Sequence, residues 1–256
     1  MFRLSEPHLR YLVLSDIHSN LEGFEACMAL ARDKYDEVVC LGDLVGYGPD
    51  PNPIIERVRA LAPVIIRGNH DKACCGLLDA AEFNPLARQA TAWTREQVTP
   101  EHIAFLRSLP PGPVMVAGVQ LVHGSVLDED DYILGPGQAL PELRNLATQP
   151  IIFGHTHYQG GFMLTPAGRF QSIRCSSKQD GLTRSFALEE GARYLINPGS
   201  VGQPRDSDWR VAFAIFDSDK NQVEYYRTPY DLPQVQQKMR KAGLPDALIR
   251  RLEFGR

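Results

Sequence analysis

The chain has 256 residues, 43% of them hydrophobic, which suffices for one large α/β domain or two small ones. Its formal charge of −4 gives no reason to expect binding to nucleic acid or an anionic membrane, and no N-terminal apolar stretch resembles a membrane span or signal peptide. The five cysteines are odd in number and have no paired spacing, which argues against a disulfide framework and predicts a reducing, cytoplasmic setting.

The N-terminal part of the chain alternates apolar strands with amphipathic helices. Strands are predicted over 11–15, 37–41 and 64–66, and helices over 21–31, with Ser19 or Asn20 as the cap, and over 54–61. The intervening loop 46–53 is rich in Gly and Pro, so we predict it to be irregular. Alternation of this kind implies parallel βαβ units.

The rest of the chain is predicted to be helical first and mostly β afterwards. Residues 72–109 carry helical patterns, and Thr99-Pro100-Glu101 is a helix start. Further on we predict hairpins over 114–123, 162–174 and 211–227, strands from 151 and over 194–197, and helices over 140–147 and 232–254, the last one broken at 243–245. No long linker divides the chain, so the prediction is one domain over 1–256 with a C-terminal helical extension at about 231–256.

Five of the predicted apolar strands end at residues that can bind a metal. These residues are Asp16-x-His18, Asp43, Asn69-His70, His123 and His155-x-His157. A spacing of two places both side chains on one side of an extended chain. Carboxylate with imidazole suits a transition metal such as Mn, Fe or Zn better than Ca or Mg. Leaving His70 aside, the seven candidates are too many for one tetrahedral ion but suit two ions about 3.5–4 Å apart that share a carboxylate.

The placement of the histidines supports a common site. Any one of them alone would more often be an ordinary polar residue than a ligand. However, five of the seven histidines lie at strand ends, and only His8 and His102 lie elsewhere. We predict that His8 and His102 are surface residues.

These motifs, in this order and spacing, resemble the metallophosphoesterase (calcineurin-like) superfamily. The matching motifs are Asp16-x-His18, Gly42-Asp43, Gly68-Asn69-His70-Asp71, His123-Gly124 and Gly154-His155-x-His157. Within the superfamily, the segment 197–205 (NPGSVGQPR) resembles the small bacterial and archaeal phosphodiesterase branch. The resemblance implies an α/β fold of two packed β-sheets flanked by helices, in an αββα sandwich.

The resemblance also implies a role for each motif residue. The first metal would take Asp16, His18 and His157, the second would take Asn69, His123 and His155, and Asp43 would bridge the two. His70 would be the acid near the leaving-group oxygen, which fits its being the residue left over from the ligand set. A metal-bound hydroxide would be the nucleophile. Two divalent transition-metal ions are implied, with Mn preferred and Fe, Zn or Ni as alternatives.

One departure from the protein-phosphatase branch concerns the residue that orients the catalytic histidine. That branch has Gly-Asp-x-x-Asp-Arg-Gly, and here Gly46 and Tyr47 stand at the positions of the second Asp and the Arg. The departure weakens an assignment as a serine/threonine phosphatase and leaves the partner of His70 open. Asp71 is adjacent in sequence, but neighbouring side chains often diverge.

Several other features have two interpretations each. Arg205 either clamps a phosphate or forms a surface salt bridge, and Tyr47, in the loop after Asp43, either rims the site or belongs to a rigid connector. The helices of 72–109 are a cap, a dimer face that would make a homo-oligomer, or ordinary core. Cys74 and Cys75 are interpreted as core or helix residues in preference to a redox or metal pair.

The sequence therefore predicts a dinuclear metal-dependent phosphodiesterase that hydrolyses a small phosphoester or nucleotide. Polymeric nucleic acid is not expected, because the segment soon after His123 is the acidic run 128–131 and the dense cationic stretches lie in the C-terminal helices. The alternatives are a phosphomonoesterase or protein phosphatase, or a nucleotide pyrophosphatase. A scaffold like the retromer subunit on this fold is a further alternative, but that subunit lacks the catalytic histidine that this chain keeps at His70.

Overall fold

The computed structural model describes residues 9–145, 149–175 and 177–256 and contains twelve strands and eight α-helices within them. The strands are β1 Arg10–Leu14, β2 Glu37–Cys40, β3 Val64–Ile65, β4 Val114–Val116, β5 Val119–Val122, β6 Ile151–Phe153, β7 Gly160–Leu164, β8 Phe170–Arg174, β9 Gly181–Ala187, β10 Arg193–Asn197, β11 Val211–Asp217 and β12 Gln222–Thr228. The helices are α1 Leu21–Ala31, α2 Pro51–Leu61, α3 Asn69–Cys75, α4 Pro85–Gln97, α5 Pro100–Ser108, α6 Pro136–Asn145, α7 Leu232–Lys241 and α8 Asp246–Arg251. Short 3₁₀ turns lie at Ala80–Glu82 and Leu252–Phe254.

The strands form two six-stranded mixed sheets. The first has the order β3-β2-β1-β11-β12-β9, and the second has the order β4-β5-β6-β10-β7-β8. In the first sheet β1, β2 and β3 run parallel, and in the second sheet β5, β6 and β10 do so. The carboxyl ends of these parallel strands therefore meet at one end of each sheet.

Side-chain alternation along the strands builds three apolar layers. Tyr11 and Val13 of β1 pack with Ile196 of β10 in the layer between the two sheets. Leu12 and Leu14 point the other way, into the layer that α1, α2, α7 and α8 form on the first sheet. The second sheet buries its outer face against α6. The predicted two-sheet sandwich flanked by helices is confirmed.

Several predicted boundaries are wrong. The third strand is only two residues long, and Asn69 and His70 open helix α3 rather than end a strand. Helix α2 begins at Pro51, three residues before the predicted start, because proline suits the first turn of a helix. Strand β9 was not predicted at all. The predicted helix end at Ala147 and the predicted surface position of His8 lie outside the described residues.

The other predicted elements are present. Asn20 is the cap of α1, and its side chain accepts a hydrogen bond from Gly23 N at 2.9 Å. Thr99 caps α5, and the C-terminal region forms two helices as expected. In the described part of the chain, none of the helices has the length and apolar character needed to cross a bilayer.

Candidate metal centre

Apart from Asn69, which opens helix α3, the predicted ligands lie in the turns that leave the parallel strands, and the backbone is strained at five of them. Asp16, His18, Asp43, His155 and His157 all have φ between 48° and 63°. This left-handed region is uncommon for residues other than glycine, and such residues concentrate at functional sites. The strain aims both members of each Asp-x-His or His-x-His pair into one buried volume.

The first ligand group consists of Asp16, His18, Asp43 and His157, all of them buried. Their potential ligand atoms lie within 4.8 Å of one another. His157 Nε2 lies 3.3 Å from Asp16 Oδ1, and His18 Nε2 lies 3.6 Å from Asp43 Oδ2. Four convergent donors of this kind can hold one divalent cation.

The second ligand group consists of Asp43, His123 and His155, and Asn69 lies beside it. His123 Nε2 lies 3.6 Å from Asp43 Oδ2 and 3.4 Å from Asn69 Oδ1. Asp43 Oδ2 is therefore equally distant from a histidine of each group. The structure brings all seven predicted ligands together, with Asp43 between two sets of three.

Hydrogen bonds to backbone carbonyls define which histidine nitrogens face the centre. His18, His123 and His157 each place Nδ1 at 2.6–2.9 Å from a carbonyl oxygen, those of Val45, Leu41 and Gln203. A carbonyl can only accept a hydrogen bond, so each Nδ1 carries a proton and Nε2 faces the cluster. His155 instead pairs Nε2 with the Asp130 carbonyl at 2.9 Å, which leaves Nδ1 as its free nitrogen. Such outer hydrogen bonds are typical of metal-binding histidines.

The cluster fits cations because its inner atoms have no other partners. Asp16 Oδ1 and Asp43 Oδ2 are buried and accept no hydrogen bond from the described residues. The Nε2 atoms of His18 and His157 lie 3.1 Å apart, so two lone pairs would face each other without a proton or a cation between them. A buried acceptor without a partner is costly, and a divalent ion would satisfy these atoms together.

The pKa values of the cluster depend on burial and on the charge of Asp43. Burial lowers the pKa of His18 and His157 well below the usual value, so both imidazoles are neutral, as ligands must be. Burial also lowers the pKa of His123, but Asp43 outweighs it and brings that pKa to about 10. His123 and His70 in turn hold the pKa of Asp43 well below its usual range, although burial opposes this.

His70 belongs to neither ligand group, and its ring packs against aromatic neighbours. Its centroid lies 4.5 Å from that of Tyr47 and 4.7 Å from that of Phe83. Nδ1 is buried without a hydrogen-bond partner among the described residues and faces Gly46, where an added Cβ would lie 2.6 Å from it. Burial lowers the pKa of His70 to about 4.

Asp71 is not the partner of His70. Its Oδ1 accepts hydrogen bonds from Leu44 N and Val45 N, and its Oδ2 accepts one from Gly68 N at 3.0 Å. The side chain therefore ties the start of α3 to the turn after β2. Its function is to fix the backbone beside Asp43, whose Oδ1 accepts a hydrogen bond from His70 N at 2.9 Å.

A cavity of about 220 Å³ opens beside the cluster. Tyr47 and His70 line it, together with Tyr132, Phe83 and Asp130. The segment from Leu78 to Ala87, which contains the 3₁₀ turn, forms one wall. Part of the helical region 72–109 thus borders the candidate site. Tyr132 stacks on His155 at a centroid distance of 3.8 Å, and no sequence pattern had singled it out.

The acidic run 128–131 lies at the site, and basic residues compensate part of its charge. Lys72 Nζ contacts Asp130 Oδ2 at 2.6 Å and Glu129 Oε1 at 2.9 Å. Arg67 pairs with Glu129 at 2.8 Å. These contacts fix the Asp130 carbonyl that orients His155.

The two remaining sequence predictions concern Arg205 and His102. Arg205 lies over Tyr47, with its guanidinium carbon 5.6 Å from the ring centroid, and forms no salt bridge with a described carboxylate. His102 was predicted to be a surface residue, but this is wrong: it is buried, and its Nδ1 lies 2.7 Å from Asn52 Oδ1. His102 and Leu106, four residues apart, share the buried face of α5, and that spacing was the available signal.

Two facing mixed sheets with a buried Asp/His cluster at their strand ends define the class of metal-dependent phosphoesterases. The family model of the calcineurin-like phosphoesterase superfamily domain matches residues 9–221 of this chain. The chain therefore belongs to the calcineurin-like phosphoesterase superfamily.

Two relatives and one structural neighbour are similar to this chain. The crystal structure of a metallophosphoesterase from Sphaerobacter thermophilus has 37% identity and a TM-score of 0.81, and the match covers 98% of this chain and 100% of that one. A hypothetical protein from Pyrococcus horikoshii has the same fold at 20% identity, with a TM-score of 0.74 and coverage of 96% and 98%. An uncharacterized protein from Methanocaldococcus jannaschii is 32% identical over 260 residues, with coverage of 95% and 97%.

Proposed function

We propose that this protein is a dinuclear metal-dependent phosphodiesterase that hydrolyses small phosphate esters. The single observation that carries the proposal is the position of Asp43 Oδ2. This oxygen lies 3.6 Å from His18 Nε2 and 3.6 Å from His123 Nε2, and none of the described residues donates a hydrogen bond to it. Such a carboxylate suits a bridge between two cations. Asp16, His18 and His157 would hold one ion, Asn69, His123 and His155 the other.

When bound, two divalent ions lower the pKa of a water molecule and offset the charge that develops on the phosphoryl oxygens. Other residues of the chain hold the ligand side chains in place. The carbonyls of Val45, Leu41 and Gln203 hold three imidazoles in the tautomer that binds cations. Imidazole and carboxylate ligands suit manganese, iron, zinc or nickel, and we propose manganese.

His70 is the residue that we propose to act on the leaving group. Its Nδ1 faces Gly46, so Nε2 is the nitrogen available to the cavity. Its imidazole is neutral at pH 7 in the free protein because burial lowers its pKa to about 4. Negative charge on a bound ester raises that pKa, so a protonated His70 would form only when substrate is present, and it would then give its proton to the leaving oxygen.

The surroundings of the cluster favour small esters over polymers. The cavity measures about 220 Å³, and both Glu82 and Asp130 line it. A polymer binder needs a basic track along its binding surface. Negative charge on the wall of this cavity would repel the successive phosphates of a polymer.

Hydrolysis of bis(4-nitrophenyl) phosphate by the manganese-loaded protein tests this proposal. We expect turnover that requires metal, a higher kcat/KM than for 4-nitrophenyl phosphate, and weak cleavage of long DNA or RNA at physiological salt. A higher kcat/KM for the monoester would make the protein a phosphomonoesterase. Absence of hydrolysis with every ester and every metal would instead favour a scaffold on the same fold.

A further inference from the structure

Two arginines lie together on the aromatic ring of Tyr47. The guanidinium carbon of Arg205 lies 5.6 Å from the ring centroid, and that of Arg251, from the end of α8, lies 5.1 Å away. Both guanidinium groups donate to the same acceptor, Gln203 Oε1, and the Arg205 contact measures 3.3 Å. One amide oxygen thus serves two cations.

Neither arginine has its charge compensated by a carboxylate of the described chain, although both are partly buried. Nε of Arg205 and Nε of Arg251 are buried atoms without a hydrogen-bond partner among the described residues. Burial lowers the pKa of Arg251 to about 10, and the neighbouring Arg205 adds to this effect. By contrast, Arg210 and Arg227, which are also buried, each pair with an aspartate. An unpaired buried charge costs free energy unless a counter-ion binds to it.

The pair lies next to the first ligand group. Gln203 connects the two, because its backbone carbonyl accepts the hydrogen bond from His157 Nδ1 at 2.6 Å while its side chain holds both arginines. The backbone N of Arg205 also donates a hydrogen bond to the carbonyl oxygen of His157 at 3.3 Å. Arg205 is therefore tied directly to a residue of the first ligand group, and Arg251 is tied to that group through Gln203 and Tyr47.

We propose that Arg205 and Arg251 bind a second phosphoryl group of the substrate, so that the preferred substrates carry two linked phosphoryl groups. This inference rests on the proposed function, because it assumes that the cluster binds the phosphorus that is attacked. Two planar guanidinium forks match phosphoryl oxygens and would neutralise their charge. In the hydrolysis a water oxygen forms a new P–O bond to the attacked phosphorus, the P–O bond to the leaving oxygen breaks, and that oxygen takes the proton that His70 would supply. The second phosphoryl group would be held at the arginine pair without reacting.

The ring of Tyr47 and the phenol of Tyr132 complete this subsite. Tyr47 lines the cavity and stacks with both guanidinium groups, which favours the cations and restricts their rotation. Burial raises the pKa of the Tyr132 phenol, and Arg205 opposes that rise from nearby. The phenol therefore stays protonated and can donate a hydrogen bond to an anion next to Arg205.

The test compares two ligands and two substrates that differ by one phosphoryl group. Calorimetry on the metal-loaded protein measures the Kd of methylenediphosphonate and of inorganic phosphate. Hydrolysis is compared for P¹,P²-bis(4-nitrophenyl) diphosphate and bis(4-nitrophenyl) phosphate, with products quantified by chromatography. The variants are Arg251→Gln and Arg205→Gln, and the matched control is Arg250→Gln, the exposed neighbour on the same helix.

We expect the wild type to bind methylenediphosphonate more tightly than phosphate. Arg251→Gln should reduce that ratio by about 10- to 100-fold, the usual cost of losing hydrogen bonds to a charged group. The same variant should raise KM for the diphosphate by more than for the monophosphate diester, with kcat less affected, and Arg205→Gln should act in the same direction. Arg250→Gln should leave both ratios at the wild-type value.

Equal losses for both ligands and both substrates in Arg251→Gln would overturn the inference and make the pair structural. If Arg251→Gln does not fold, Arg205→Gln decides by the same ratio. Failure of the proposed function is distinguishable, because the wild type would then hydrolyse neither ester while the binding ratio still reports on the arginines. A preference for inorganic phosphate over methylenediphosphonate would also contradict the inference.

Discussion

The two ligand groups share Asp43 but lie in opposite electrostatic surroundings. Arg205 and Arg251 lie beside the first group. Burial lowers the pKa of His157 far below its usual value, and the charges of these two arginines lower it further. Beside the second group lies the acidic run, with Asp130 over His155. In that group Asp43 brings the pKa of His123 to about 10 although burial lowers it.

This difference indicates that the two proposed cation positions are not equivalent. The second group, beside the acidic run, stabilises positive charge in the free protein, and a cation that binds there must displace the proton retained at His123. The first group is adjacent to cations that favour an anion instead. We therefore expect the second position to fill first during metal loading, and the first to be the side from which the substrate extends towards the arginines.

The largest expected effect concerns His70, which lies outside both groups. His70→Gln should retain both metals and reduce kcat by about 10²–10⁴, the usual contribution of a positioned acid. The reduction in kcat should be largest for esters with poor leaving groups, because these leaving groups depend most on receiving a proton. A series of aryl phosphodiesters with graded leaving-group pKa values, together with metal analysis of the variant, measures this. Loss of metal from the variant would place His70 in a ligand group, and equal slowing of all esters would exclude its role as the acid.

The next effect is a loss of stability of the metal-free protein at mildly acidic pH. Burial lowers the pKa of four histidines of the site, namely His18, His70, His155 and His157. Below about pH 6.5 the unfolded chain binds protons that the folded chain does not, so the free energy of unfolding falls as the pH falls towards 4. Each histidine contributes up to about 1.4 kcal/mol per pH unit.

Asp71 acts with the opposite sign over the same range. Burial raises its pKa to about 7, so the folded chain holds a proton that the unfolded chain loses, and stability rises as the pH falls. Although burial opposes it, Asp43 keeps a proton on folded His123, whose pKa is about 10, so this histidine also makes stability rise as the pH falls towards 6.5. Below about pH 6.5 the unfolded chain holds that proton as well, and the four histidines then outweigh Asp71. The net loss of stability is therefore expected between pH 6.5 and 5.5. Urea unfolding of the metal-free protein at pH 7.5, 6.5 and 5.5 measures the slope. Constant or increasing stability from pH 6.5 to 5.5 would contradict these protonation states.

The smallest expected effect concerns Lys72, which lies beside the second ligand group and supports it without being a ligand. Lys72→Met removes the tie to Asp130 and Glu129, so the carbonyl that orients His155 loses its support. We expect the affinity of the second metal position to fall by about 10-fold, which is at the lower end of the loss seen when a group that orients a metal ligand is removed. A two-step calorimetric metal titration measures both positions. Lys220→Met, which breaks an exposed ion pair with Asp217, is the control, and equal weakening of both positions would contradict the separation.

Most strand ends, and the residues that the structure brings together as candidate ligands, could be predicted from the sequence because each is a local signal. An apolar run followed by Asp-x-His predicts both the strand and the turn after it. The order of the motifs also matches that of the superfamily. Strand β9 was missed because GLTRSFA is largely exposed and has no apolar run. It lies at the edge of its sheet, where only one neighbour supplies hydrogen bonds.

The features that were missed depend on tertiary packing. Arg251 follows the buried Leu248 and Ile249, which indicates its helix face, but nothing in the sequence says that α8 ends over Tyr47. Likewise, the three backbone donors to Asp71 come from two separate turns. Contacts of this kind are fixed by the fold rather than by neighbours in the chain, so sequence patterns cannot reveal them.

The central claim is that two cation positions share Asp43, and a metal count on matched variants tests it most directly. Wild-type protein and Asp43→Asn are equilibrated with graded manganese, dialysed and analysed by mass spectrometry. We predict two ions per wild-type chain, and in Asp43→Asn a weaker affinity at both positions, because Oδ2 lies 3.6 Å from a histidine of each group. A wild-type plateau at one ion, or a variant that loses one ion and keeps the other at full affinity, would contradict the shared centre.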